Sequence, residues 1–512
     1  HPWLHPSHPD PHGENLSLIA KVLRVFLENF RNSNRPYGVL IDFSALPQAP
    51  WDEEEAEVFK CALPELNLFY SHPQTVVLKI TSFPEGYPGR STFCYDLPEG
   101  ANTRFYADRG WCYAESIMSG LVKGSGKVLD LGSLPSRISS LHELLSGCGA
   151  RREPPLHPDV FREELDTKTF TSKRGDFDSV AKLYSDAFEL RLGAARELNF
   201  SGLGWNAAAA KKLVTALNAT MSLEDLNLAA NELGDEGADL LGEVLSSNDH
   251  IRRLTLDENQ VSDEGARGLG SGLATNTTLL FLSLSGNRVG DEGACHLGEA
   301  LSKNTALLKL NLHGNLVGNT GARGLGQALT KNTTLTELNL DSNLVGDVGT
   351  CGLGTALRYN NALQELCLDG NQVGDEGAIG LSDALAFNRK LVVLGLSYNN
   401  IGAEGARCLG EALVSNPTLH ELCLDGNEVG NEGAIGLGQG LSENMGLRTL
   451  WLQNNQVGDE GAAVLGQELA ANAALESLYI RANNMGRNGK KALEEAAGAR
   501  VRHGVKRLSL RF

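Results

Sequence analysis

The chain has 512 residues, and its 63 acidic side chains outnumber its 45 lysines and arginines, which gives a formal net charge of −18. This balance argues against a surface that binds nucleic acid or an anionic membrane, and it favours a partner with a basic or neutral surface. No apolar run approaches the ~18 residues of a membrane-spanning helix, no signal peptide is evident, and the nine cysteines form no short-range framework. We therefore expect a cytoplasmic protein with reduced thiols and no membrane span.

Histidine and proline crowd the first 13 residues. The four imidazoles, those of His1, His5, His8 and His12, have the ligand chemistry of zinc. The prolines favour an extended segment and no cysteine assists, so we expect no metal site. The sequence also lacks a Ser/His/Asp or HExxH pattern.

Helical and strand patterns alternate over residues 14–190. Amphipathic helices are predicted at 14–30, 52–70, 110–123 and 177–190, and apolar strands at 37–43, 75–80 and 127–131. Apolar strands separated by helices predict a parallel, flavodoxin-like α/β domain. Ligands of such sheets bind beyond the carboxyl ends of the strands, here near residues 42–46 and 81–83.

Residues 109–115 read Arg-Gly-Trp-Cys-Tyr-Ala-Glu, so that Glu115 follows Trp111 by four positions. This element resembles the W-C-x-x-E motif of Toll/interleukin-receptor (TIR) domains. The predicted strand ending at Asp42, followed by Leu46-Pro47, is similar to the second strand and following loop of that family. The resemblance implies a TIR-like domain that self-associates. It also implies that this chain is a fragment lacking the domain's first strand.

Some TIR domains hydrolyse NAD through the motif's glutamate. Carried over, the resemblance implies that Glu115 stabilises the oxocarbenium ion developing at the nicotinamide ribose, with Trp111 as packing or stacking support. NAD would then be a substrate, and we expect no cofactor. Alternatively, Trp111 only begins a helix and Glu115 is a solvated acid one turn on. We favour this second, non-catalytic interpretation.

Asparagine recurs every 28 residues in the second half of the chain, within the pattern L-x-x-L-x-L-x-x-N. The ten positions are Asn231, Asn259, Asn287, Asn315, Asn343, Asn371, Asn399, Asn427, Asn455 and Asn483. A second asparagine series lies 17 residues further on, from Asn248 to Asn472. Sixteen of the 17 prolines lie at or before Pro158. We therefore predict two domains, an α/β domain at 1–192 and a repeat array at 193–512.

Each repeat predicts one short strand and one helix. The L-x-L alternation points leucines inward, and the ladder asparagine should be buried, bonding backbone groups of neighbouring turns. The following Gly-Asp-Glu-Gly-Ala segment predicts a helix capped by its aspartate, and the second asparagine should end that helix in a left-handed conformation. Residues 505–510 restore the leucine spacing, which predicts a closing strand.

This pattern resembles the leucine-rich repeats of the ribonuclease-inhibitor-like class, over roughly residues 195–512. The resemblance implies a horseshoe with an inner parallel sheet and outer helices, which binds proteins on its concave face. The residues between the inward leucines would line that face. They include acids, aromatics and two cysteines in one slot, Cys367 and Cys423, which lie too far apart for a disulfide.

We predict that an acidic series ending in aromatics binds the partner. Its members are Asp257, Glu337, Asp341, Glu365, Asp369, Tyr398, Glu421, Asp425, Trp451 and Tyr479. The simpler alternative is that the acids only keep a solvated sheet soluble. The leading hypothesis is a protein-interaction scaffold of a receptor or signalling type. The alternatives are a TIR-like NAD hydrolase regulated by the repeats, and a GTPase-activating protein of the Ran-activator type, whose acidic C-terminal tail this chain lacks.

Overall fold

The computed structural model describes residues 14–29, 70–79, 106–124, 126–134, 138–149, 152–170, 175–502 and 505–512. The chain divides into two compact units, His1–Asn231 and Glu232–Phe512. The first unit takes in the first two repeat strands together with the N-terminal elements. The predicted domains at 1–192 and 193–512, a division made on composition and repeat pattern, stay a prediction.

The described part of the first unit is mainly helical. Its helices are α1 (Glu14–Asn29), α2 (Gly110–Gly120), α3 (Leu141–Cys148), α4 (Pro158–Asp166), α5 (Gly175–Ala187) and α6 (Ala207–Leu217). Its strands are β1 (Val77–Lys79), β2 (Val128–Asp130), β3 (Glu197–Asn199) and β4 (Asp225–Asn227). Strands β1 and β2 pair in parallel, as do β3 and β4. A π-helical segment, Phe188–Gly193, follows α5 directly.

The predicted elements at 14–30, 75–80, 110–123, 127–131 and 177–190 are confirmed in position and type. Helices α3 and α4 were not predicted. The predicted strand at 37–43, most of the predicted helix at 52–70, the four histidines and the loops at 42–46 and 81–83 lie outside the described residues. With two paired strands described, the flavodoxin-like and TIR-like folds stay predictions.

Aromatic rings form the centre where helices α2, α4 and α5 meet. The rings of Phe161 and Tyr184 stack with centroids 3.8 Å apart, and Tyr113 stacks on Phe161 at 5.7 Å. The Tyr184 hydroxyl donates a 2.6 Å hydrogen bond to the carbonyl oxygen of Leu156. Burial of these rings stabilises the packing of the three helices.

The second unit alternates strands and helices in chain order. Its strands are β5 (Arg253–Thr255), β6 (Phe281–Ser283), β7 (Lys309–Asn311), β8 (Glu337–Asn339), β9 (Glu365–Cys367), β10 (Val393–Gly395), β11 (Glu421–Cys423), β12 (Thr449–Trp451), β13 (Ser477–Tyr479) and β14 (Ser509–Arg511). Its helices are α7 (Gly234–Ser247), α8 (Asp263–Leu273), α9 (Asp291–Leu301), α10 (Asn319–Leu329), α11 (Asp347–Leu357), α12 (Asp375–Leu385), α13 (Ala403–Ser415), α14 (Gly430–Glu443), α15 (Asp459–Leu469) and α16 (Arg487–Arg502).

These ten strands follow one another in a parallel sheet, each paired with its neighbours in the sequence. With β3 and β4 of the first unit, the described residues contain twelve repeat strands. The register places equivalent leucines opposite each other, for example Leu338 opposite Leu366. The predicted closing strand is confirmed, because β14 pairs with β13 and sets Leu510 opposite Leu478.

The ladder asparagines join neighbouring turns from inside. The Nδ2 group of Asn315 donates to the carbonyl oxygens of Leu312 in its own turn and Leu284 in the preceding one, at 3.0 and 2.9 Å. Its Oδ1 accepts from the backbone N–H of Val289 at 3.0 Å. Nine of the ten ladder asparagines are buried as predicted. Asn483, on the last rung, is only half-buried because no further asparagine turn covers it.

The second asparagine series has a different backbone from the predicted one. Asn416 is extended (φ −99°, ψ 109°), as are Asn248 and Asn444, so the left-handed helix ending is wrong. The side chain explains this. The Nδ2 group of Asn416 donates to the carbonyl oxygen of Leu385 in the preceding repeat at 2.7 Å, and its Oδ1 accepts from the N–H of Leu419 at 2.8 Å. These residues therefore connect turns.

The aspartate of the Gly-Asp-Glu-Gly-Ala segments, and of the related Gly-Asp-Val-Gly-Thr at residues 346–350, caps the helix of the next repeat. Asp347 Oδ1 accepts from the backbone N–H groups of Gly374, the N-cap residue of α12, and of Gly377 in its first turn, at 2.7 and 2.9 Å. The N-cap residue of its own helix is Gly346, which has no capping side chain. The prediction that each aspartate caps its own helix is therefore corrected. The caps connect adjacent repeats.

Glycine lets the helices approach one another closely. A Cβ atom on Gly354 would lie 2.5 Å from the carbonyl oxygen of Gly380 in the next helix. A Cβ on Gly410 would lie 2.4 Å from the carbonyl oxygen of Gly436. Because real Cβ atoms do not come this close, the backbone contact between neighbouring helices requires glycine at these positions.

Candidate binding face

The side chains of one sheet face alternate with the buried leucines. In each repeat, three positions point away from the core: the first and last residues of the strand and the residue two places after it. In β9 these are Glu365, Cys367 and Asp369, which flank the buried Leu366 and Leu368. We call this surface the binding face, and its three positions recur on every repeat strand of the second unit.

Carboxylates concentrate on three of four neighbouring strands of the binding face, β8, β9 and β11, whereas β10 between them carries Val393, Gly395 and Ser397. We define the acidic lane as Glu337, Asp341, Glu365, Asp369, Glu421 and Asp425, all of which are half-buried. The structure brings these six predicted residues together. Asp257 does not join them, because strands β6 and β7 lie between it and Asp341, with Ser285 and His313 in the equivalent positions.

The aspartates of the lane are bonded to the backbone of the next strand. Asp341 Oδ1 accepts from the N–H of Asp369 at 2.7 Å, and Asp369 Oδ1 accepts from the N–H of Ser397 at 2.6 Å. Asp425 Oδ1 accepts from the N–H of Gln453 at 2.7 Å. One oxygen of each carboxylate therefore has a structural role, while the charge faces outward.

Burial raises the pKa of Asp369 to about 6, and the neighbouring charges of Asp341 and Asp425 add to the effect. Burial also raises the pKa values of Asp341 and Asp425. These shifts mean that the negative charges are partly desolvated and repel one another. A cation placed against the lane would offset both the desolvation of these charges and their mutual repulsion.

A basic end precedes the acidic lane and was not recognised in the sequence. Lys309 forms an ion pair with Glu337 on the adjacent strand, and the Arg253 guanidinium lies 4.6 Å from the ring centroid of Phe281. The signal was present in the repeat period, since Lys309 occupies the slot of Glu337 one repeat earlier. The lane therefore begins at Glu337, and the charge of Glu337 is already paired with Lys309.

An aromatic pair follows the lane at its other end. The rings of Trp451 and Tyr479 stack with centroids 3.7 Å apart and planes 9° apart. The indole Nε1 of Trp451 donates a 2.7 Å hydrogen bond to Glu421 Oε1. The two predicted aromatic residues are thus brought together and joined to the lane.

Tyr398 occupies a turn rather than an outward strand position. Its φ of +55° places it in the left-handed region, one residue before the ladder residue Asn399, and its side chain is 64% exposed. Other repeats carry glycine at this turn, for example Gly370 and Gly426. The predicted placement of Tyr398 among the strand residues is therefore corrected, because the chain bends at this point.

Cys367 and Cys423 flank Gly395 on the binding face, and both thiols are free. Burial raises the pKa values of both thiols, with nearby carboxylates adding to the effect. Their thiolate fraction at neutral pH is therefore lower than that of an ordinary exposed cysteine. Among the described residues, no group of His, Cys, Asp and Glu side chains has a metal-binding arrangement.

The residues of the TIR-like motif lie on helix α2 in the first unit. Trp111 and Glu115 are both half-buried there. On the same helix, Lys79 from β1 donates a 2.9 Å hydrogen bond to Ser116 Oγ. The strand end expected to complete a nucleotide pocket, around Asp42 and Ser44, lies outside the described residues. The described geometry therefore gives Glu115 a position but no substrate site.

Eight segments of the chain match the family model described as Leucine Rich repeat. They are residues 220–242, 247–270, 275–294, 331–349, 359–382, 387–410, 415–438 and 443–466. The chain contains leucine-rich repeats. The matched segments agree with the strand-and-helix units of the structure, whereas the ribonuclease-inhibitor-like class and the TIR resemblance stay predictions.

The solved structures that are similar to this chain include the following two. An internalin from Listeria monocytogenes strain 4b F2365 is 19% identical, covers 60% of this chain and 86% of its own, and has a TM-score of 0.39. Actin-binding site 2 of leiomodin-1 is 18% identical, covers 30% of this chain and 88% of its own, and has a TM-score of 0.25. Among curated proteins, none matches the sequence. No helix within the described residues has the length and apolar character to cross a membrane.

Proposed function

We propose that the leucine-rich repeats form a protein-binding scaffold whose acidic lane binds a partner with a basic surface. The observation that carries this proposal is the charge distribution on strands β8 to β11. Six of their twelve outward positions hold carboxylates, and none holds a lysine, arginine or histidine. Partners of a repeat array bind across several repeats at once, and four adjacent strands provide such a surface.

The electrostatic argument concerns association as well as affinity. Half-buried carboxylates that repel one another create a negative potential focused above the sheet, which attracts a basic partner and speeds its encounter. The stacked rings of Trp451 and Tyr479 add apolar contact area at the end of the lane. Aromatic side chains of this kind carry much of the binding energy in protein interfaces. We assign charge selection to the acids and contact area to the aromatics.

A receptor-type or signalling role follows if the first unit transmits the binding event. The proposed signalling route is self-association of a TIR-like domain in the first unit. The TIR-like assignment is based on the motif around Trp111 and Glu115. We place this protein in the cytoplasm on the basis of its cysteine usage.

The experiment replaces charge without removing hydrogen-bond acceptors. The variant Asp341→Asn, Glu365→Gln, Asp369→Asn keeps an oxygen at each site, including those that accept backbone N–H groups. The control, Glu292→Gln, Glu376→Gln, Glu460→Gln, removes three exposed charges from the helices. A short lysine-rich peptide is the probe, and its association rate with the full chain is measured at low and high salt.

We expect the lane variant to slow association by about tenfold at low salt, with little difference at high salt, and the control to bind like the unmodified chain. Unchanged affinity of the lane variant at low salt would remove the acidic lane from the proposal. The aromatic pair would then be the remaining candidate.

The TIR-like NAD hydrolase is the alternative for the first unit, with Glu115 as its catalytic residue and Trp111 as support. Its test is release of nicotinamide from NAD by the full chain, with and without clustering, and loss of that release in Glu115→Ala. No turnover in either state leaves a non-catalytic interaction module, which is the outcome we expect.

A GTPase-activating role of the Ran-activator type rests on the predicted repeat class alone. Stimulation of GTP hydrolysis by a Ran-type GTPase tests it.

A further inference from the structure

The edge of the second unit where helices end has two aromatic residues that the repeat does not require. Two places after the last leucine of most helices the residue is small, polar or charged: Ser247, Thr275, Lys303, Lys331, Ser415, Glu443 and Ala471. Tyr359 and Phe387 occupy this place on adjacent repeats, and their side chains are 66% and 57% exposed. Because seven equivalent repeats fold without an aromatic ring here, folding does not explain the pair.

Cations surround this aromatic pair. Residues 302–306, 330–334, 358–362 and 386–390 follow four consecutive helices and contain five basic residues and no acidic one. We define the basic rim as Tyr359 and Phe387 together with the five exposed cations, Lys303, Lys331, Arg358, Arg389 and Lys390. Such a cluster stands out in a chain with a net charge of −18.

The charges of the basic rim are uncompensated. None of the five cations forms an ion pair with a described residue, whereas Arg267 pairs with Glu264 and Arg407 pairs with Glu404. The helix dipole stabilises cations electrostatically at helix C-termini. That gain does not account for the cluster, because helices α7, α8 and α13 end at the same edge with serine or threonine in the equivalent place.

Two arginines of the rim are held in place by their surroundings. The Arg358 guanidinium carbon lies 4.0 Å from the ring centroid of Phe387. Arg389 Nη1 donates to the carbonyl oxygens of Ala386 and Asn388 at 3.0 and 2.9 Å. A guanidinium stacked on a ring keeps its N–H edge available for a carboxylate. The rim therefore offers oriented donors next to exposed apolar surface.

We propose that the basic rim is a second docking surface, which binds an acidic protein segment. Carboxylates of that segment pair with Arg358 and Arg389, and an aliphatic side chain packs against Tyr359 and Phe387. Arginine and aromatic residues are the types enriched at energetically important interface positions. This surface selects the opposite charge from the acidic lane, so the scaffold holds two different partners, or two parts of one partner, at once.

The net charge of the chain favours a short acidic segment over a polyanion. An extended nucleic acid or an anionic membrane meets the repulsion of the whole molecule, whereas a short segment feels mainly charges within a Debye length of about 8–10 Å. Five cations on four repeats are a small patch for a phosphate polymer. The same patch matches the few carboxylates of a peptide.

The test exploits the repeat itself. The variant Tyr359→Ser, Phe387→Ser installs the residue found at Ser247 and Ser415, and Arg358→Ser, Arg389→Thr installs the residues found at Ser302 and Thr333. Both variants restore residues that other repeats already accommodate, so we expect them to fold. The control is Arg267→Ser, Arg407→Ser, which removes two cations outside the rim. A displayed library of random peptides is selected on the full chain, and enriched peptides are synthesised.

We expect a class of enriched peptides that combines Asp or Glu with Leu, Ile or Phe. These peptides should lose about tenfold in affinity on either rim variant and bind the control like the unmodified chain. The proposal is overturned if no enriched peptide depends on the rim, or if the dependent peptides lack acidic residues. Rim-dependent binding of phosphatidylserine vesicles or single-stranded oligothymidine that exceeds peptide binding also overturns it. Loss of lysine-rich peptide binding in the lane variant, a separate measurement, does not affect this outcome.

Discussion

Trp451 Nε1 donates a 2.7 Å hydrogen bond to Glu421 Oε1 on the adjacent strand, and this bond joins the aromatic pair to the acidic lane. The indole is also stacked on Tyr479, so the ring is held from two sides. A fixed aromatic ring loses less conformational entropy on binding than a mobile one. Glu421 therefore orients Trp451 as well as contributing charge.

Removing the acceptor should loosen the indole. We expect Glu421→Ala to increase acrylamide quenching of Trp451 fluorescence. The Trp451 signal of each protein is the difference from the same protein carrying Trp451→Phe. We also expect Glu421→Ala to destabilise the chain by about 1–2 kcal/mol, because a charged hydrogen bond is lost. Glu421→Gln keeps an acceptor oxygen and should leave the quenching close to that of the unmodified chain. Equal quenching in Glu421→Ala and the unmodified chain would show that stacking alone fixes the ring.

Protonation of Asp369 should couple stability to pH. Its folded pKa of about 6 lies above its ordinary value of 3.8, so the folded chain holds a proton that the unfolded chain has released between these values. The contribution of this proton is present below pH 3.8 and is lost as pH rises through about 6. We expect this effect to lower stability by roughly 1–2 kcal/mol over the window.

The measurement compares urea midpoints at the two ends of that window in the unmodified chain and in Asp369→Asn. The asparagine does not titrate and retains the oxygen that accepts the Ser397 N–H, so its midpoint should change less with pH. Asp425→Asn should reduce the pH dependence in the same direction, because burial also raises the pKa of Asp425. An identical pH dependence in the unmodified chain and Asp369→Asn would contradict the assignment.

The caps between repeats predict a graded response to substitution. Asp347→Ala removes the acceptor of two N–H groups of α12 and should cost about 1–2 kcal/mol. Asp347→Asn should cost less, because Asn319 and Asn431 fill the same position and accept the same pair of bonds. Chemical denaturation of the three proteins provides the measurement. An equal loss for alanine and asparagine would mean that charge, rather than hydrogen bonding, makes the cap.

Ala403 interrupts this series of caps. The helix that its side chain would cap, α14, begins at Gly430 without a side-chain cap. We expect Ala403→Asp to leave the free energy of unfolding within about 0.5 kcal/mol of the unmodified value, because the N–H groups of Gly430 and Gly433 already donate to the carbonyl oxygens of Asn455 and Val429. A clear gain in stability, with slower amide hydrogen exchange in the first turn of α14, would contradict this.

Lys123 should make the first unit more stable at high pH. Its ammonium donates to the carbonyl oxygens of Tyr70 and His72, and burial, with Arg152 and Arg191 nearby, lowers its pKa to about 7. Between this value and the ordinary 10.5, the unfolded chain binds a proton that the folded chain does not, so stability rises with pH across the window. The protection factors of the α2 amides, which correct the exchange rates for their intrinsic rise with pH, should increase over that range in the unmodified chain and in Lys127→Met. In Lys123→Met they should change less with pH.

The repeat period determined much of the second unit in advance. A spacing of 28 residues with leucines at fixed offsets specifies a strand, an inward face and a register, because any other register would expose the leucines. For this reason the ladder asparagines and the residues sharing one slot, such as Glu365 and Glu421, followed from the sequence. The irregular first unit offered no such repetition, and helices α3 and α4 went unrecognised.

The partners of the capping and charged side chains were decided only by the tertiary structure. Sequence spacing shows that Asp347 begins a helix, but the next helix approaches closely enough to take its carboxylate as a cap. In the same way, the ion pair of Lys309 with Glu337 and the bond from Ser397 to Asp369 depend on the lateral distance between strands. A local pattern specifies the conformation of its own turn. The partner of a polar side chain is decided by whichever unsatisfied group the neighbouring turn brings within hydrogen-bond distance.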